Sequence, residues 1–583
     1  MATKRQTFSF RLLPWSEIST GSVTLARDLP IVVGGLALFY GLLSLARYWN
    51  GALNTQAQIS LSPWALPKYT AFSLARLMVA YLISLIVTLV YAYLAAHNRK
   101  AERFLIPLLD TLQSIPVLSF LPGVMVSMAA LFPTRQLGVE LGSILLIFTG
   151  QVWNMTFSVY SSMKSIPREM VEASEIYRFT WWQRFTQLEL PYSTIGLVWN
   201  SMMSMAGGWF FLMPCEMFVL NHRDLRLPGL GSYLQTASNA DDTRAMLWGV
   251  FAMIAVIVLM DQFIWRPVIA WAEKFKFEQV EASQTPRSPI LELFRRSHIL
   301  ARVSSSVIDP ASEAVTLFFA RRRTAMAETG AALHRASWIS TGIGIAALLA
   351  LGYAAIGMTR LLAGLTPGDL RHLVSGAAAT FLRVELTLLL AALWTIPVGV
   401  AIGLNPRLSA VAQPLAQIAA SVPATALFPI ILLVLIQWGG GMGVASIVLL
   451  LMGTQWYILF NVIAGAMAIP TDLKEVCATY RVGRVQRWRK LILPAIFPYL
   501  LTGLVTASGG AWNASILAEY FHFHNQTFSV TGLGATISAA TDAGNFPMLY
   551  GATILMVAMV VTINRLVWRR LYGLAQTRYK LEA

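Results

Sequence analysis

The residues best able to do chemistry in this sequence lie in two charged segments, each set between strongly apolar runs. The first, SIPREMVEASEIYRFTWWQRFTQLELPY (165–192), carries four glutamates and three arginines. The second repeats its pattern 303 residues further on, so that Glu172 matches Glu475 and Arg178 matches Arg481. Carboxylates and guanidiniums on a surface form charge-assisted hydrogen bonds with partner groups. The pattern therefore favours recognition of another protein.

Each segment has the order of a surface helix, a bend and a second helix. Pro167 and Pro470 suit the first position of a helix, where the missing N–H is not needed. Acidic residues follow both prolines, and they favour the positive end of the helix dipole. A Leu-Pro pair then ends each segment and restarts the chain as an apolar span. We expect two matching docking faces.

Catalytic patterns are not found in the sequence. The only cysteines, Cys215 and Cys477, fall at the outer end of one predicted span and in a predicted cytoplasmic loop, which argues against a disulfide. There is no cluster with metal-ligand spacing and no GxxxxGK[ST] phosphate-binding loop. A membrane enzyme would need a nucleophile with its base, or a metal. We therefore expect a chain that is not an enzyme and has no metal and no cofactor.

Composition points to the lipid bilayer. Of the 583 residues, 56% are hydrophobic and only 12% are charged, whereas soluble domains carry roughly 25% charged residues. The net charge of +16 fits the gathering of Lys and Arg in cytoplasmic loops of membrane proteins. We therefore expect no nucleic-acid partner, and the predicted fold class is an all-α polytopic membrane protein.

Apolar runs of about 20 residues predict twelve transmembrane spans. The first six lie near 29–47, 70–96, 104–132, 140–163, 192–217 and 245–268. The other six lie near 337–357, 374–403, 412–437, 441–468, 495–517 and 546–568. Basic loops place both termini and both charged segments on the cytoplasmic side.

The two halves repeat one unit. Leu190-Pro191 matches Leu493-Pro494 at the same offset, and Trp209 matches Trp512. Both halves have the same predicted orientation, which indicates a parallel repeat about an axis along the membrane normal, with a pathway between the halves. The predicted division is a cytoplasmic N-terminus over 1–28, a first unit over 29–268 with its charged segment at 164–191, a cytoplasmic linker over 269–336, a second unit over 337–568 with its charged segment at 469–494, and a cytoplasmic tail over 569–583.

At the charged segments the sequence resembles a known family. They read EASEIYR…LELP and EVCATYR…LILP, similar to the EAA loop of ABC-importer permeases: Glu-Ala-Ala, three residues, Gly, nine residues, Ile-x-Leu-Pro. PLLDTLQSIPVLSFLP, PLAQIAASVPATALFP, GGWFFLMPCEMF and GAWNASILAEYF resemble the nitrate/sulfonate/taurine branch. The resemblance implies two fused permease units with the type I importer fold, two copies of a separate ATPase subunit and an extracytoplasmic substrate-binding protein.

The same resemblance assigns the coupling residues. In this family the EAA helices insert into grooves on the ATPase subunits, whose ATP-driven closure rocks the permease halves between inward- and outward-facing states. The matching positions here are Glu172, Ala173, Tyr177, Arg178, Leu190 and Pro191 in the first segment, and Glu475, Val476, Tyr480, Arg481, Leu493 and Pro494 in the second.

One departure affects the expected shape of both loops. Arg178 and Arg481 stand where the family has glycine. Glycine permits a left-handed turn, whereas a side chain makes that conformation costly. We therefore expect the first helix of each segment to run on past the arginine or to bend elsewhere. Each arginine is either an ion-pair partner for the ATPase or a solvent-facing side chain.

Polar residues inside spans are costly, and they face a partner or a cavity. The candidate pathway residues are Asn154, Asn200, Ser204, Trp209, Asn461, Trp512, Asn513 and Ser515. The alternative is hydrogen bonding between helices or, for the tryptophans, a place in the interfacial belt. Glu216 and Glu519, before the outer GLG loops, are expected to contact the binding protein or to cap a re-entrant turn. Arg76 and Arg383 are expected to snorkel or to pair near the outer boundary, or to attract an anion.

Two functions from different classes follow. The first is the permease subunit of an importer in a bacterial inner membrane; the family resemblance implies a small anion or organic solute of the nitrate, sulfonate, taurine or bicarbonate class. The alternative is a twelve-span secondary transporter driven by an ion gradient. Such a transporter needs no docking loop between its fourth and fifth spans. It usually carries intramembrane carboxylates, for which Asp110 and Glu385 are the nearest cases.

Overall fold

The computed structural model describes residues 58–220, 223–224, 226–275, 362–422, 424–437, 441–523 and 526–578, with isolated residues in 41–51 and 291–360. The predicted spans at 29–47 and 337–357 and most of the linker lie outside these ranges. Within them the regular secondary structure is helical apart from two short hairpins. The helices are numbered α1 to α20 so that each helix of the first half and its repeat differ by ten.

The first half begins with a helix of 32 residues and ends with helices of 18 and 7 residues. Its helices are α1 (Leu66–His97), α2 (Arg99–Ser114), α3 (Leu121–Leu131), α4 (Leu137–Lys164), α5 (Arg168–Ile176), α6 (Trp181–Arg184), α7 (Leu190–Glu216), α8 (Leu230–Asn239), α9 (Thr243–Met260) and α10 (Arg266–Ala272). The hairpin of β1 (Val219–Leu220) and β2 (Arg223–Asp224) lies between α7 and α8.

The second half repeats this order element by element. Its helices are α11 (Pro367–Leu404), α12 (Pro406–Ser421), α13 (Ala424–Gln437), α14 (Met442–Met467), α15 (Thr471–Thr479), α16 (Arg484–Arg487), α17 (Leu493–Ala518), α18 (Leu533–Asp542), α19 (Phe546–Ile563) and α20 (Arg569–Arg578). A second hairpin, of β3 (Tyr520–Phe523) and β4 (Gln526–Ser529), follows α17.

The predicted fold class is confirmed, since the two repeats fit the twelve-span, all-α architecture. Within the described ranges, six helices are long and apolar enough to cross a membrane. They are Pro63–His97, Thr243–Ala272, Pro367–Leu404, Met442–Met467, Arg484–Ala518 and Phe546–Ala575. In the first half, α4 and α7 have 28 and 27 residues, close to the 26 of both α14 and α17.

The predicted third span, 104–132, is not one helix. The chain breaks after α2, where Ile115 is extended with ψ 128°, and a 3₁₀ turn over Val117–Phe120 precedes α3. Pro116 explains the break, because the residue before a proline is pushed out of the helical region. The second half breaks at the matching place, where Val422 has ψ 117°.

Packing follows the repeat. In the first half α4 lies between α1 and α7, and in the second half α14 lies between α11 and α17. The halves meet where α17 contacts the 3₁₀ turn of the first half and where α7 contacts α13. The spans α7 and α17 therefore contact the opposite repeat, and any space between the halves is bounded by them.

Candidate docking segments and the cavities between the halves

The first docking segment (Arg168–Glu189) is a short helix that ends in a closed turn. α5 ends where the Arg178 N–H donates to the Glu175 carbonyl at 2.9 Å and the Phe179 N–H donates to the Ser174 carbonyl at 2.9 Å. These two bonds form a Schellman motif, which satisfies carbonyls at the end of a helix. Arg178 has φ 51°, so it occupies the left-handed position that the motif normally gives to glycine.

The second docking segment (Thr471–Ile492) closes in the same way. The Arg481 N–H donates to the Ala478 carbonyl at 3.1 Å, and the Val482 N–H donates to the Cys477 carbonyl at 2.9 Å. Arg481 has φ 47°. The expectation that the helices would run on past the arginines or bend elsewhere was wrong. The backbone keeps the left-handed conformation that glycine would adopt, because two hydrogen bonds in each turn depend on it. Each arginine is therefore held in a strained backbone conformation.

Both turns present apolar side chains to the surroundings. Tyr177 is 76% exposed and Tyr480 is 79% exposed, with Ile176 and Val476 beside them at 78% and 50%. Glu172, Glu475 and both arginines of the turns are also exposed. An apolar centre with charges around it is the composition of a protein–protein interface.

The remaining predicted coupling positions are less exposed than the two tyrosines. Pro191 is buried, and Ala173, Leu190 and Pro494 are half-buried. Leu190-Pro191 and Leu493-Pro494 stand at the first positions of α7 and α17. Of these four residues, Leu493 is exposed, at 39%. The Leu-Pro pairs therefore set the start of a span, and the exposed face of each segment lies earlier, around its tyrosine.

An ionic cluster ties the first segment to the membrane helices. Glu189, which is 2% exposed, accepts from Arg184 Nε at 2.8 Å and lies 2.8 Å from His97 Nε2 at the end of α1. The second half has Ile492 at the position of Glu189, and it is buried. One docking segment is thus held to its span by charge, and the other by apolar packing.

A second contact joins α2 to the end of α4. Glu102 accepts from the Tyr160 hydroxyl at 2.6 Å and from Lys164 Nζ at 3.0 Å. The Tyr160 hydrogen bond and the Lys164 ammonium hold the pKa of the Glu102 carboxyl below its usual range. Because α4 leads directly into α5, this contact fixes the base of the first docking segment.

Two adjoining cavities lie between the halves. The polar chamber, of about 140 Å³, is lined by α2, α4 and α7 of the first half and by α14, α17 and α19 of the second. The apolar chamber, of about 510 Å³, is lined by α7 of the first half and by α12, α14 and α17 of the second. Met203, Gly207, Phe211, Tyr457, Gly510 and Asn513 line both.

Four of the eight candidate pathway residues reach these cavities. Asn154, Ser204, Trp512 and Asn513 line the polar chamber, and Asn513 also lines the apolar one. Sequence reasoning missed several other lining residues. They include Gln113, Thr149, Trp153, Trp456, Tyr457 and Thr506. The match of Trp153 with Trp456 in the repeat was a signal for two of them.

The other four candidates line neither chamber. Asn200 donates to the Gly196 carbonyl at 2.9 Å, Asn461 to the Tyr457 carbonyl at 2.8 Å and Ser515 to the Trp512 carbonyl at 2.8 Å. Trp209 is 2% exposed within the core. The three polar side chains therefore satisfy carbonyls of their own helices. For these three residues the structure shows neither of the two predicted roles: they do not line a chamber, and the hydrogen bonds given above lie within one helix.

Glu216 lies in a closed polar cluster at the other end of the span α7. It is fully buried and accepts from Arg76 Nη1 at 2.7 Å, from the Ser73 hydroxyl at 2.6 Å and from the Gly231 N–H at 2.7 Å. Arg76 also pairs with Glu140 at 2.6 Å. Glu216 thus caps the helix after the GLG loop, and its burial leaves no surface for a soluble partner.

The second half repeats this cluster with one carboxylate fewer. Glu519 is buried, accepts from Thr380 Oγ1 at 2.8 Å and from the Gly534 N–H at 2.9 Å, and pairs with Arg383. Gly443 occupies the position of Glu140. Arg76 and Arg383 therefore pair, which was one of the expectations for them, and their carboxylates cap the GLG turns.

Two repeated bundles of apolar helices, with cavities between them and a charged surface segment in each, define a membrane transport permease built from two fused units. Comparison with known families agrees. The family described as "Binding-protein-dependent transport system inner membrane component" matches residues 88–264 and again 395–579. The chain belongs to this family, and each half carries one copy of the domain.

Individual relatives match over part of their length. A bicarbonate transport system permease protein of Synechococcus elongatus is 35% identical over 141 residues, 24% of this chain and 49% of that protein. A nitrate import permease protein of Leptolyngbya laminosa is 30% identical over 190 residues, 33% of this chain and 64% of that protein. The taurine transport system permease protein of Escherichia coli is 27% identical over 165 residues, 28% and 56%. The chain thus spans about half the length of these relatives.

Proposed function

We propose that this chain is the transmembrane subunit of an ATP-binding-cassette importer in a bacterial inner membrane, with both termini in the cytoplasm. It encloses the substrate pathway between its halves and binds two separate ATPase subunits. An extracytoplasmic binding protein delivers the substrate to the opposite face. The relatives carry bicarbonate, nitrate and taurine in their names. By that similarity, the substrate is a small anion or an organic solute.

One observation carries the proposal. Both halves end a short surface helix in the same left-handed turn, at Arg178 and Arg481, beside a tyrosine more than three-quarters exposed. A strained arginine that recurs at both copies indicates a use for the side chain. We assign each guanidinium to an acidic group on an ATPase subunit, where a charge-assisted hydrogen bond can form.

The helix after each turn supplies the mechanical link. In the second half a continuous helical stretch runs over 35 residues, from Arg484 in the docking segment to Ala518; a π-helical segment over Trp488–Ile492 joins α16 to α17. At 1.5 Å per residue the whole stretch is about 52 Å long. Its residues Gly510 and Asn513 line both chambers. When an ATPase subunit displaces the docking segment, the attached helix α17 therefore moves with it and shifts the residues that line the chambers.

Association with the ATPase tests this proposal. Glu172→Lys and Glu475→Lys together reverse the charge of one exposed glutamate in each docking segment while leaving the buried spans unchanged. We expect the doubly substituted chain to retain less than a tenth of the ATPase subunit that co-purifies with the unmodified chain from membranes. Each single variant should lose about half, because the other docking segment remains intact.

The matched control is Lys68→Glu, a charge reversal at an exposed position near the start of α1. It should leave the co-purified ATPase unchanged, since α1 reaches the docking side only at its other end, near His97. If the doubly substituted chain and the control both keep a full complement of ATPase, the docking assignment fails.

A further inference from the structure

The first docking segment meets the end of α1 at His97, the last residue of that helix. Both ring nitrogens of His97 face an acceptor oxygen. Nδ1 lies 3.0 Å from the Tyr93 carbonyl, and Nε2 lies 2.8 Å from Glu189 Oε1. Because a carbonyl oxygen has no proton to donate, Nδ1 must carry one.

The Glu189 carboxylate requires a second proton, on Nε2. Its Oε1 also accepts from Arg184 Nε at 2.8 Å, so this one oxygen serves as the acceptor for two donors. Imidazole donates from both nitrogens only in its positively charged form. The contacts around His97 therefore select the imidazolium ion, which adds a positive charge to the cluster.

Glu189 depends on its two cations. It is 2% exposed, and its other oxygen, Oε2, is buried with no hydrogen-bond partner in the described part of the chain. A buried carboxylate is costly unless cations pair with it. Arg184 is one of these cations, and it also lies 3.9 Å from the exposed Glu175. His97 is the other, and its side chain is 30% exposed, so it can exchange its proton with water.

The other charged or titratable groups around this end of α1 belong to classes that titrate far from neutral pH. Besides Arg184 and Glu189, they are Tyr93 on α1, Arg99, Lys100 and Glu102 on α2, Lys164 on α4 and Glu175 on α5. Phenol, ammonium and guanidinium groups titrate at about pH 10 or above, and carboxyl groups at about pH 4. Histidine changes its charge between about pH 5 and 8. A pH change near neutrality therefore acts on this cluster through His97.

An aromatic contact lies beside the ionic one. The Tyr93 ring stacks on His97 with 4.2 Å between the ring centroids. It also packs against Trp181 and Phe185 of the docking segment, with centroids 6.2 and 5.5 Å away. This packing needs no charge. Loss of the His97 proton should therefore loosen the docking segment from α1 without releasing it.

The second half has a leucine where the first has His97. The repeat offset in this part of the chain is 307, which aligns His97 with Leu404. The next residues, Asn98 and Asn405, confirm the alignment, because each caps the helix that follows it. The end of α11 therefore carries no group that titrates at this position.

The partner of the histidine is missing as well. Ile492 stands at the position of Glu189, and it packs with Leu404 in one apolar cluster. Arg487 corresponds to Arg184, but its Nε is buried with no hydrogen-bond partner among the described residues. The second docking segment thus keeps the arginine and lacks the histidine–carboxylate pair.

We propose that His97 is a positioning residue: through Glu189 it holds the first docking segment in place for an ATPase subunit, and its charge makes coupling through that segment, but not through the second, depend on pH. This inference rests on the proposed function, which supplies the ATPase. The stabilisation is present in full below about pH 6.5, where a free histidine is protonated, and is lost as the pH rises above it. Alkaline conditions therefore weaken one of the two couplings.

Hydrogen exchange of the full chain in lipid nanodiscs tests the positioning role without an ATPase. Exchange is measured at pH 6 and pH 8 and divided by the intrinsic chemical rate at each pH. The Arg184 N–H, which donates to the Thr180 carbonyl at 2.8 Å, should lose protection about threefold to fivefold at the higher pH, since a partly exposed ion pair contributes modestly. The Arg487 N–H, bonded to the Gly483 carbonyl at 2.9 Å, should not change.

Two variants separate the charge from the packing. Glu189→Gln keeps the shape of the side chain but removes the carboxylate, so the pH step at Arg184 should disappear. His97→Lys supplies a cation that stays charged over this range, so protection should be high at both pH values. A purely structural role would lower protection in both variants at both pH values. The inference is overturned if the unmodified chain shows no step at Arg184 or an equal step at Arg487, or if either variant keeps the step.

Association with the ATPase tests the regulatory consequence. The Glu475→Lys chain keeps its first docking segment unmodified, and the Glu172→Lys chain keeps its second. Raising the pH from 6 to 8 should reduce the ATPase that co-purifies with Glu475→Lys about threefold relative to Glu172→Lys. Equal pH dependence in the two variants would overturn the regulatory role. If even the unmodified chain bound no ATPase, the proposed function would fail, whereas the exchange result at Arg184 would stand.

Discussion

Replacing Arg178 by glycine should stabilise the turn that ends the first docking helix. A residue with a Cβ in the left-handed region costs about 1–2 kcal/mol. Glycine relieves that strain, but it lowers the stability of the turn by roughly 0.5–1 kcal/mol because it loses more conformational entropy on folding. The net gain is about 0.5–1 kcal/mol at Arg178, and the same holds at Arg481, where φ is 47°.

The assay is native-state hydrogen exchange, which measures the local opening of this turn. The Phe179 N–H, bonded to the Ser174 carbonyl at 2.9 Å, exchanges only when the turn opens. A gain near 1 kcal/mol should slow its exchange roughly fivefold in Arg178→Gly. The Val482 N–H should respond to Arg481→Gly and not to Arg178→Gly, because each turn is closed by hydrogen bonds to its own helix.

Arg178→Ala separates the backbone from the guanidinium. It removes the charge but keeps the Cβ, so the exchange of Phe179 should stay within a factor of two of the unmodified chain. Coupling should fall equally in the alanine and glycine variants, because both lack the guanidinium. If glycine speeds exchange at Phe179, or if alanine slows it as much as glycine does, backbone strain does not explain this turn.

Three other predictions concern the membrane helices and their base. Arg76→Met leaves two buried carboxylates unpaired and should destabilise the chain by about 3–5 kcal/mol; Arg383→Met, which frees one carboxylate, should cost roughly 2 kcal/mol. Their thermal midpoints in detergent should follow that order, and equal midpoints would contradict it. Gly534→Ala places a Cβ against the Ser515 backbone, so it should lower the yield of folded protein, whereas Gly509→Ala, with open space around its Cβ, should not. Glu102 has a pKa held below its ordinary value of 4.5, so its stabilising contribution is present above that value and lost as the pH falls through the folded-state pKa. As the pH is lowered from about 5 to about 3, a range that spans the ordinary pKa of a glutamate, the thermal midpoint of the unmodified chain should fall more than that of Glu102→Gln.

The two charged segments could be located from the sequence because their charges interrupt apolar spans and recur in the repeat. Their backbone could not, since Arg178 and Arg481 argue locally against the left-handed turn that two hydrogen bonds impose. The identical replacement in both halves was a signal that the turn persists. Local preference was overridden by the closure of the Schellman motif.

The pathway residues show a different limit. Asn200 and Asn461 have the polarity of a pathway residue, yet each bonds to a carbonyl four residues earlier in its own helix. Residue type does not reveal on which side of a helix the opposite repeat packs. The cluster of Arg76, Glu140 and Glu216 was equally hidden, because its members come from three helices and only the tertiary fold brings them within hydrogen-bond distance.

Transport into proteoliposomes tests the central claim most directly. The chain is reconstituted with its ATPase subunits, and the binding protein and labelled substrate are placed on the other face. We predict uptake that requires ATP, stops with Glu172→Lys and Glu475→Lys, and continues when ionophores abolish every ion gradient. Uptake by the chain alone, driven by a proton or sodium gradient and indifferent to ATP, would contradict the claim and establish a secondary transporter.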